Sequence, residues 1–153
     1  MSALMRERSG KRILLVEPAG NLPFYILPLA LGYLKSNISN SHSVKVLDCA
    51  IDNISSGSDR FKDEIKDFKP DVVGVSASMQ TYGEAILAVK AVKSIRRDII
   101  TVMGGSHPSI FAEQVMQDDS VDYVFQGEAE LSFSAFIDQL GISEDFSSIK
   151  GLV

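Results

Sequence analysis

Three stretches of small, hydroxylated or acidic residues follow directly on apolar runs, and these are where the chain could hold a ligand. They are Ser76-Ala77-Ser78-Met79-Gln80-Thr81, Gly104-Gly105-Ser106-His107-Pro108-Ser109 and Gln126-Gly127-Glu128-Ala129-Glu130. Small side chains let a bulky ligand come close to a strand end, and hydroxyls can hydrogen-bond it. Ser78 or Thr81 would serve equally well as a cap of the next helix. The pair Gly104 and Gly105 removes two Cβ atoms where a ligand would enter, with a tight strand-to-helix connection as the plainer alternative. Glu128, just after Gly127, offers a carboxylate to accept hydroxyl hydrogen bonds.

Metal-ligating residues are scarce: the chain holds two histidines and one cysteine. A neutral imidazole is a competent ligand, but His42 precedes the second strand, at the far end of any parallel sheet. His107 stands at the ligand-binding end, in a loop where a structural or ligand-contacting role is the simpler expectation. Cys49 cannot form an internal disulfide, which implies a reducing, cytoplasmic setting, and it reads as a small buried hydrophobe.

Several familiar chemistries are excluded by position. The loop after the first strand is Pro18-Ala19-Gly20-Asn21-Leu22-Pro23, so the G-x-G-x-x-G fingerprint is missing where a dinucleotide would need it. Gly10-Lys11 precedes its strand and is not a phosphate-binding loop. A phosphorylatable receiver needs an aspartate ending the third strand and a lysine ending the fifth. Here Ser76 and Gln126 stand there, with Glu17 alone after the first strand. Asp48 ends the second strand, where an acid could hold a ribose; without a glycine-rich first turn it reads as a loop-stabilising acid.

The elements that must position these loops follow from periodicity. β-branched runs at Arg12–Glu17, Val44–Cys49, Asp71–Ala77, Ile99–Met103 and Val121–Gln126 alternate with helical patterns at Tyr25–Ser36, Asp59–Phe68, Tyr82–Arg97, Ser109–Met116 and Glu130–Leu140. That alternation predicts an α/β, doubly wound, flavodoxin-like (Rossmann-like) five-stranded parallel sheet with helices on both faces. The second strand, more polar than the others, reads as an edge. Ile86, Leu87, Val89, Val92 and Ile95 predict the buried stripe of the third helix. In such sheets, ligands bind outside the carboxyl ends of the strands. The 153 residues suit one domain, with 45% hydrophobic and 23% charged residues. A formal net charge of −5 argues against nucleic acid. No apolar run reaches the length of about 18 residues that a membrane span needs.

Taken together, the segments Arg12–Pro18, Leu27–Leu34, Val46–Asp48, Pro70–Ser76, Met103–Ser109 and Asp122–Val124 with Gly127–Glu130 resemble the amino-terminal cobalamin-binding domain of cobalamin-dependent radical-SAM enzymes. The resemblance implies a corrin ring over the carboxyl ends of the strands, with its nucleotide tail beside the sheet, past Ser76 and Gly104-Gly105. The implied cofactor-binding residues are Pro18, Ala19, Ser76, Ser78, Met79, Gln80, Gly104, Gly105, Ser106, His107, Gly127 and Glu128, with Met79 and Gln80 toward the ring's lower face. Histidine-bearing cobalamin domains carry D-x-H-x-x-G in the first loop; this chain has no histidine there. That departure implies cobalamin held base-off, with no histidine on cobalt, as in the radical-SAM branch. The Leu of the S-x-L pattern is also replaced, by Ser78.

A radical-SAM enzyme holds its iron–sulfur cluster on three cysteines, typically C-x-x-x-C-x-x-C. With Cys49 alone, the cluster and SAM are expected only on a downstream radical-SAM domain, where methyl transfer or related radical chemistry would take place. The expected organisation is a disordered arm at 1–11, a cobalamin-binding domain at 12–148 and the start of a connection at 149–153. Two other readings remain open: a free-standing cobalamin carrier, sensor or degenerate interaction domain, and a flavodoxin-like binder of another nucleotide or flavin. A side chain at Gly105 is expected to fill ligand volume while leaving the fold intact.

Overall fold

In the computed structural model, residues 10–20 and 25–153 are described. The expected arm over its first nine residues, and Asn21 to Pro23 of the first loop, lie outside them. In chain order the elements are β1 (Arg12–Glu17), α1 (Leu29–Asn37), β2 (Ser43–Asp48), α2 (Asp59–Phe68), β3 (Val72–Ser76), α3 (Tyr82–Ile95), β4 (Ile100–Gly104), α4 (Ser106–Val115), β5 (Tyr123–Val124) and α5 (Glu130–Gln139). All neighbouring strands pair in parallel, in the order β2-β1-β3-β4-β5. This is the flavodoxin-like order, with the polar β2 at an edge and the order reversing between β1 and β3.

Ile13 to Val16 and Val72 to Val75 are fully buried because helices cover both faces of those strands. α2, α3 and α4 contribute Phe61, Ile65, Ala88, Val92, Ala112 and Val115 to the core on one face. α1 and α5 cover the other, where Leu31, Phe133, Phe136 and Ile137 pack against Ile13, Leu15, Val72 and Val102. α2 begins on Ser58, whose side chain accepts from the Phe61 N–H at 3.2 Å. It ends on Lys69 in the left-handed conformation (φ 51°), just ahead of Pro70.

Four expectations are corrected. α1 begins at Leu29 rather than Tyr25, because Pro28, the non-helical cap residue just before it, disfavours helical backbone at Leu27. α4 begins at Ser106 rather than Ser109 and takes Pro108 into its first turn. β5 is only two residues long; Val124 exchanges backbone hydrogen bonds with Val153, and Gln126 N–H donates to Gly151 O, so residues 151–153 run antiparallel along its outer side. On α3 the buried stripe is carried by Ala85, Ala88, Val89, Ala91 and Val92, while Leu87 faces outward. Alanines let α3 lie close on the sheet, and a reading weighted toward large side chains overlooks them.

Candidate cofactor-binding site

The two-residue period of a strand puts Gly74 and Ser76 on one face of β3, and Val102 and Gly104 on the same face of β4. The register joins them: Leu15 lies opposite Gly74, Gly74 opposite Val102, and Ser76 opposite Gly104. Two glycines therefore stand on adjoining rungs, under α1 and α5. Above them opens a cavity of about 240 Å³, walled by Leu15, Leu31, Leu34, Val102, Phe125 and Phe133. Ser76, Gly104, Gly105, Gly127, Glu128 and Glu130 complete its lining at the carboxyl ends of the strands.

The glycines differ in what they leave open. A Cβ on Gly74 would sit 3.1 Å from Leu15 Cδ2 and 3.7 Å from Phe133 Cζ, so neighbours already occupy that space. At Gly104 the nearest heavy atom to a Cβ is the Phe125 carbonyl oxygen, 3.9 Å away. Gly105 has φ +106°, and a Cβ there would lie 2.6 Å from the Ala77 carbonyl oxygen. It is a backbone crossing: Ala77 N–H donates to Gly104 O at 2.8 Å, and His107 N–H donates to Ala77 O at 3.1 Å. The expectation that a side chain at Gly105 would leave the fold intact is thus corrected, and the open position is Gly104. Gly127 (φ +73°) turns the fifth loop, its N–H donating to Ser109 Oγ at 2.9 Å.

Of the residues expected to contact a cofactor, Ser76, Gly104, Gly105, Gly127 and Glu128 come together around this cavity. Pro18, Ala19, Ser78, Met79, Gln80, Ser106 and His107 do not line it. Pro18 is buried, and Ala19 packs against the core beneath α2, α3 and α4. Ser78 and Thr81 fasten the third loop on itself: Ser78 N–H donates to Thr81 Oγ1 at 3.0 Å, and Thr81 N–H donates to Ser78 Oγ at 3.2 Å. Met79, Gln80 and Ser106 are exposed at the carboxyl edge.

His107 is buried on the opposite face of the sheet, at 7% exposure, stacked on Tyr82 with ring centroids 3.9 Å apart. Its Nδ1 lies 3.1 Å from Met79 Sδ, which can only accept, so the proton belongs on Nδ1; Nε2 has no partner among the described residues. His42 joins the amino edge to α5, accepting from Lys11 N–H at 3.0 Å through Nδ1 and meeting Asp138 at 2.9 Å through Nε2. No cluster of metal-ligating side chains occurs among the described residues.

Acids gather at the ends of β1 and β2. Burial raises the Glu17 carboxyl above its ordinary range, a Ser76 hydrogen bond opposes the shift, and Asp48 adds to it. Asp48 accepts from the Ala50 and Ile51 N–H groups and from the Tyr25 hydroxyl, the last at 2.5 Å, so it builds its loop. That bond is the main reason the Tyr25 phenol is pushed up to about 12.

The sequence profile of the B12 binding domain matches residues 18–137. The chain belongs to that family. This B12-binding domain is 35% identical over 129 residues to an uncharacterised methyltransferase of Pyrococcus horikoshii, covering 82% of this chain and 27% of that one. It is 28% identical over 167 residues to cytidylyl-2-hydroxyethylphosphonate methyltransferase of Streptomyces wedmorensis, covering 95% of this chain and 31% of the relative. The chain thus spans about a third or less of these relatives' length. Its fold matches the cobalamin-dependent S-adenosylmethionine radical enzyme OxsB, solved with aqua-cobalamin and S-adenosylmethionine (TM-score 0.79, 20% identity, 94% of this chain and 20% of that one). It also matches the radical S-adenosylmethionine methyltransferase TsrM of Kitasatospora setae (TM-score 0.76, 22% identity, 94% and 28%). Among the described residues no helix is long and apolar enough to cross a membrane.

The cavity fits one end of the cofactor that the family name implies. Its walls are apolar, its open position is the bare Cα of Gly104, and its hydrogen-bonding side chains stand at the carboxyl ends of the strands. The residues that sequence reasoning missed are the walls, Leu15, Gly74, Val102, Phe125 and Phe133. Leucine, valine and phenylalanine line a core and a cavity alike; the available signal was that Gly74 and Ser76, like Val102 and Gly104, share a strand face.

Proposed function

We propose that residues 12–148 are the cobalamin-holding module of a longer enzyme that performs methyl transfer or related radical chemistry, with residues 149–153 belonging to the connection that follows. The observation that carries this reading is the apolar cavity left open above Gly104, at the carboxyl ends of β3, β4 and β5. Ser76, Gly104, Gly105, Gly127 and Glu128 would hold the nucleotide tail. Met79 and Gln80, exposed on the third loop, would face the corrin. Bound cobalamin supplies a cobalt centre able to carry a methyl group or electrons, and the protein's part is to bind and orient it.

The same reading holds cobalamin base-off with no histidine on cobalt. Supporting it, His107 is sealed beneath Tyr82 and His42 lies at the amino edge. The iron–sulfur cluster and SAM belong to a further domain, a reading supported by the single cysteine and by the small share of its relatives that this chain spans. The free, buried thiol of Cys49 suits a reducing, cytoplasmic compartment. The test is a cobalamin titration of the chain followed by absorption, with electron paramagnetic resonance of the Co(II) form. Saturable binding without axial nitrogen splitting is expected. Absence of binding would overturn the reading, and splitting that disappears in His107→Ala would overturn its axial part.

A further inference from the structure

Among the described residues, the cavity above Gly104 is polar at one end only. Among the described residues that line it, only Ser76, Glu128 and Glu130 carry side chains that can hydrogen-bond. Ser76 ends β3, Glu130 opens α5 and Glu128 lies in the loop just before it, so all three stand at the carboxyl edge. One rung deeper the sheet offers Leu15, Gly74 and Val102, joined side by side in the register. Phe125 and Phe133 close the far wall, each 2% exposed, with ring centroids 5.6 Å apart. Of the nearby backbone, Phe125 N–H donates to Met103 O at 2.9 Å and Gly104 O accepts from Ala77 N–H, while the Phe125 carbonyl oxygen stands beside the Gly104 opening, 3.9 Å from where a Cβ there would lie.

We infer that this cavity selects corrinoids by the polarity of their tail base, taking a benzimidazole and rejecting an adenine. The inference rests on the reading that the tail enters this cavity. A benzimidazole enters leading with a hydrocarbon six-membered ring, which Leu15, Val102, Phe125 and Phe133 can surround without leaving a polar atom unpaired. An adenine presents ring nitrogens and an exocyclic amine on the corresponding six-membered ring. At the depth of the Leu15–Gly74–Val102 rung these groups find no side-chain partner among the described residues. Burying hydrogen-bonding groups without partners costs enough to weaken binding by roughly tenfold to a hundredfold.

The discriminating experiment is equilibrium binding of three corrinoids to the chain: cobalamin, an adenine-tailed corrinoid, and tailless cobinamide. Cobalamin is expected to bind at least about tenfold tighter than the adenine-tailed form, and the adenine-tailed form no tighter than cobinamide. Val102→Thr, which puts one hydroxyl on the cavity floor at nearly constant volume, is expected to narrow the gap between the two tailed forms. Equal affinity for both tailed corrinoids, each tighter than cobinamide, would overturn the selectivity and leave the tail in its cavity. Cobinamide binding as tightly as cobalamin would remove the tail from the cavity, and the inference with it. Failure of all three to bind would reject the cobalamin site itself.

Discussion

On the face covered by α2, α3 and α4, the carboxyl end of the sheet is packed shut: His107 lies between Tyr82 and Phe111, and Ala77 is crossed by the Gly105 backbone. On the face covered by α1 and α5, the same end stays open, with a cavity over Gly104 framed by Phe125, Phe133 and Leu31. Both faces are built by the same strands, so strand sequence alone does not decide which one opens. The helices decide it. Small alanines bring α3 down onto its face, whereas Phe125, Phe133 and Phe136, with ring centroids 5.6 to 6.3 Å apart, form a stiff aromatic frame on the other. Two adjacent glycines therefore serve opposite ends: Gly105 lets two backbones touch, and Gly104 leaves a cavity open.

One side chain placed on each glycine in turn separates the two faces. Gly105→Val forces a β-branched residue to φ +106° with its Cβ inside the contact distance of the Ala77 carbonyl. Backbone strain of about 1–3 kcal/mol and overpacking of similar size add up, so the apo chain should lose on the order of 10 °C in thermal midpoint. An unchanged midpoint would mean that the packed face tolerates what the geometry forbids. Gly104→Val should leave the midpoint within a few degrees yet weaken cobalamin binding by roughly tenfold to a hundredfold. If it binds cobalamin as the parent does, the tail lies elsewhere.

A smaller effect is expected at His107, on the packed side. His107→Phe keeps the aromatic stack with Tyr82 and removes a buried Nε2 that has no partner among the described residues, at the loss of a weak contact to Met79 sulfur. Stability should change by less than about 1 kcal/mol, and cobalamin affinity by less than roughly threefold. A large loss of affinity with the fold intact would bring His107 into the site and erase the distinction between the faces.

How far the sequence carries differs between fold and site for the same reason that the faces differ. Apolar runs such as RILLVE and VVGVS mark β1 and β3 because both are buried on both sides, and the glycine loops mark the strand ends. β5 is hidden by its short length and by pairing with residues 151–153. Within the site, Ser76, Gly104 and Glu128 are legible because they depart from a core pattern, whereas Leu15 and Phe133 conform to it. His107 sits in a loop element that reads as ligand-contacting, yet its ring turns to the packed face because α4 starts early enough to carry it there.

Cys49 also belongs to the packed face, clustered with Leu47, Ile54 and Phe61 and fully buried. Burial is the main reason its thiol is pushed from an ordinary 9.0 up to about 12, and Asp48, Asp52, Glu17 and Glu84 add to the shift. The folded chain therefore keeps a proton that the unfolded chain releases above about pH 9. Between those two values the native state binds more protons, so stability falls as pH rises, and below pH 9 the group contributes no slope. Tyr25 is raised from 10.0 to about 12 and acts in the same direction, but only from about pH 10 upward. Between pH 9 and 10 Cys49 should thus stand apart from the shifted tyrosine, at up to about 1 kcal/mol per pH unit. Denaturant melts of Cys49→Ala across that window are expected to be flatter than those of the parent, while Gly104→Val keeps the parent's slope. Parallel curves for the parent and Cys49→Ala would show that the thiol ionises freely in the folded chain, and that the packed face is more open than its geometry indicates.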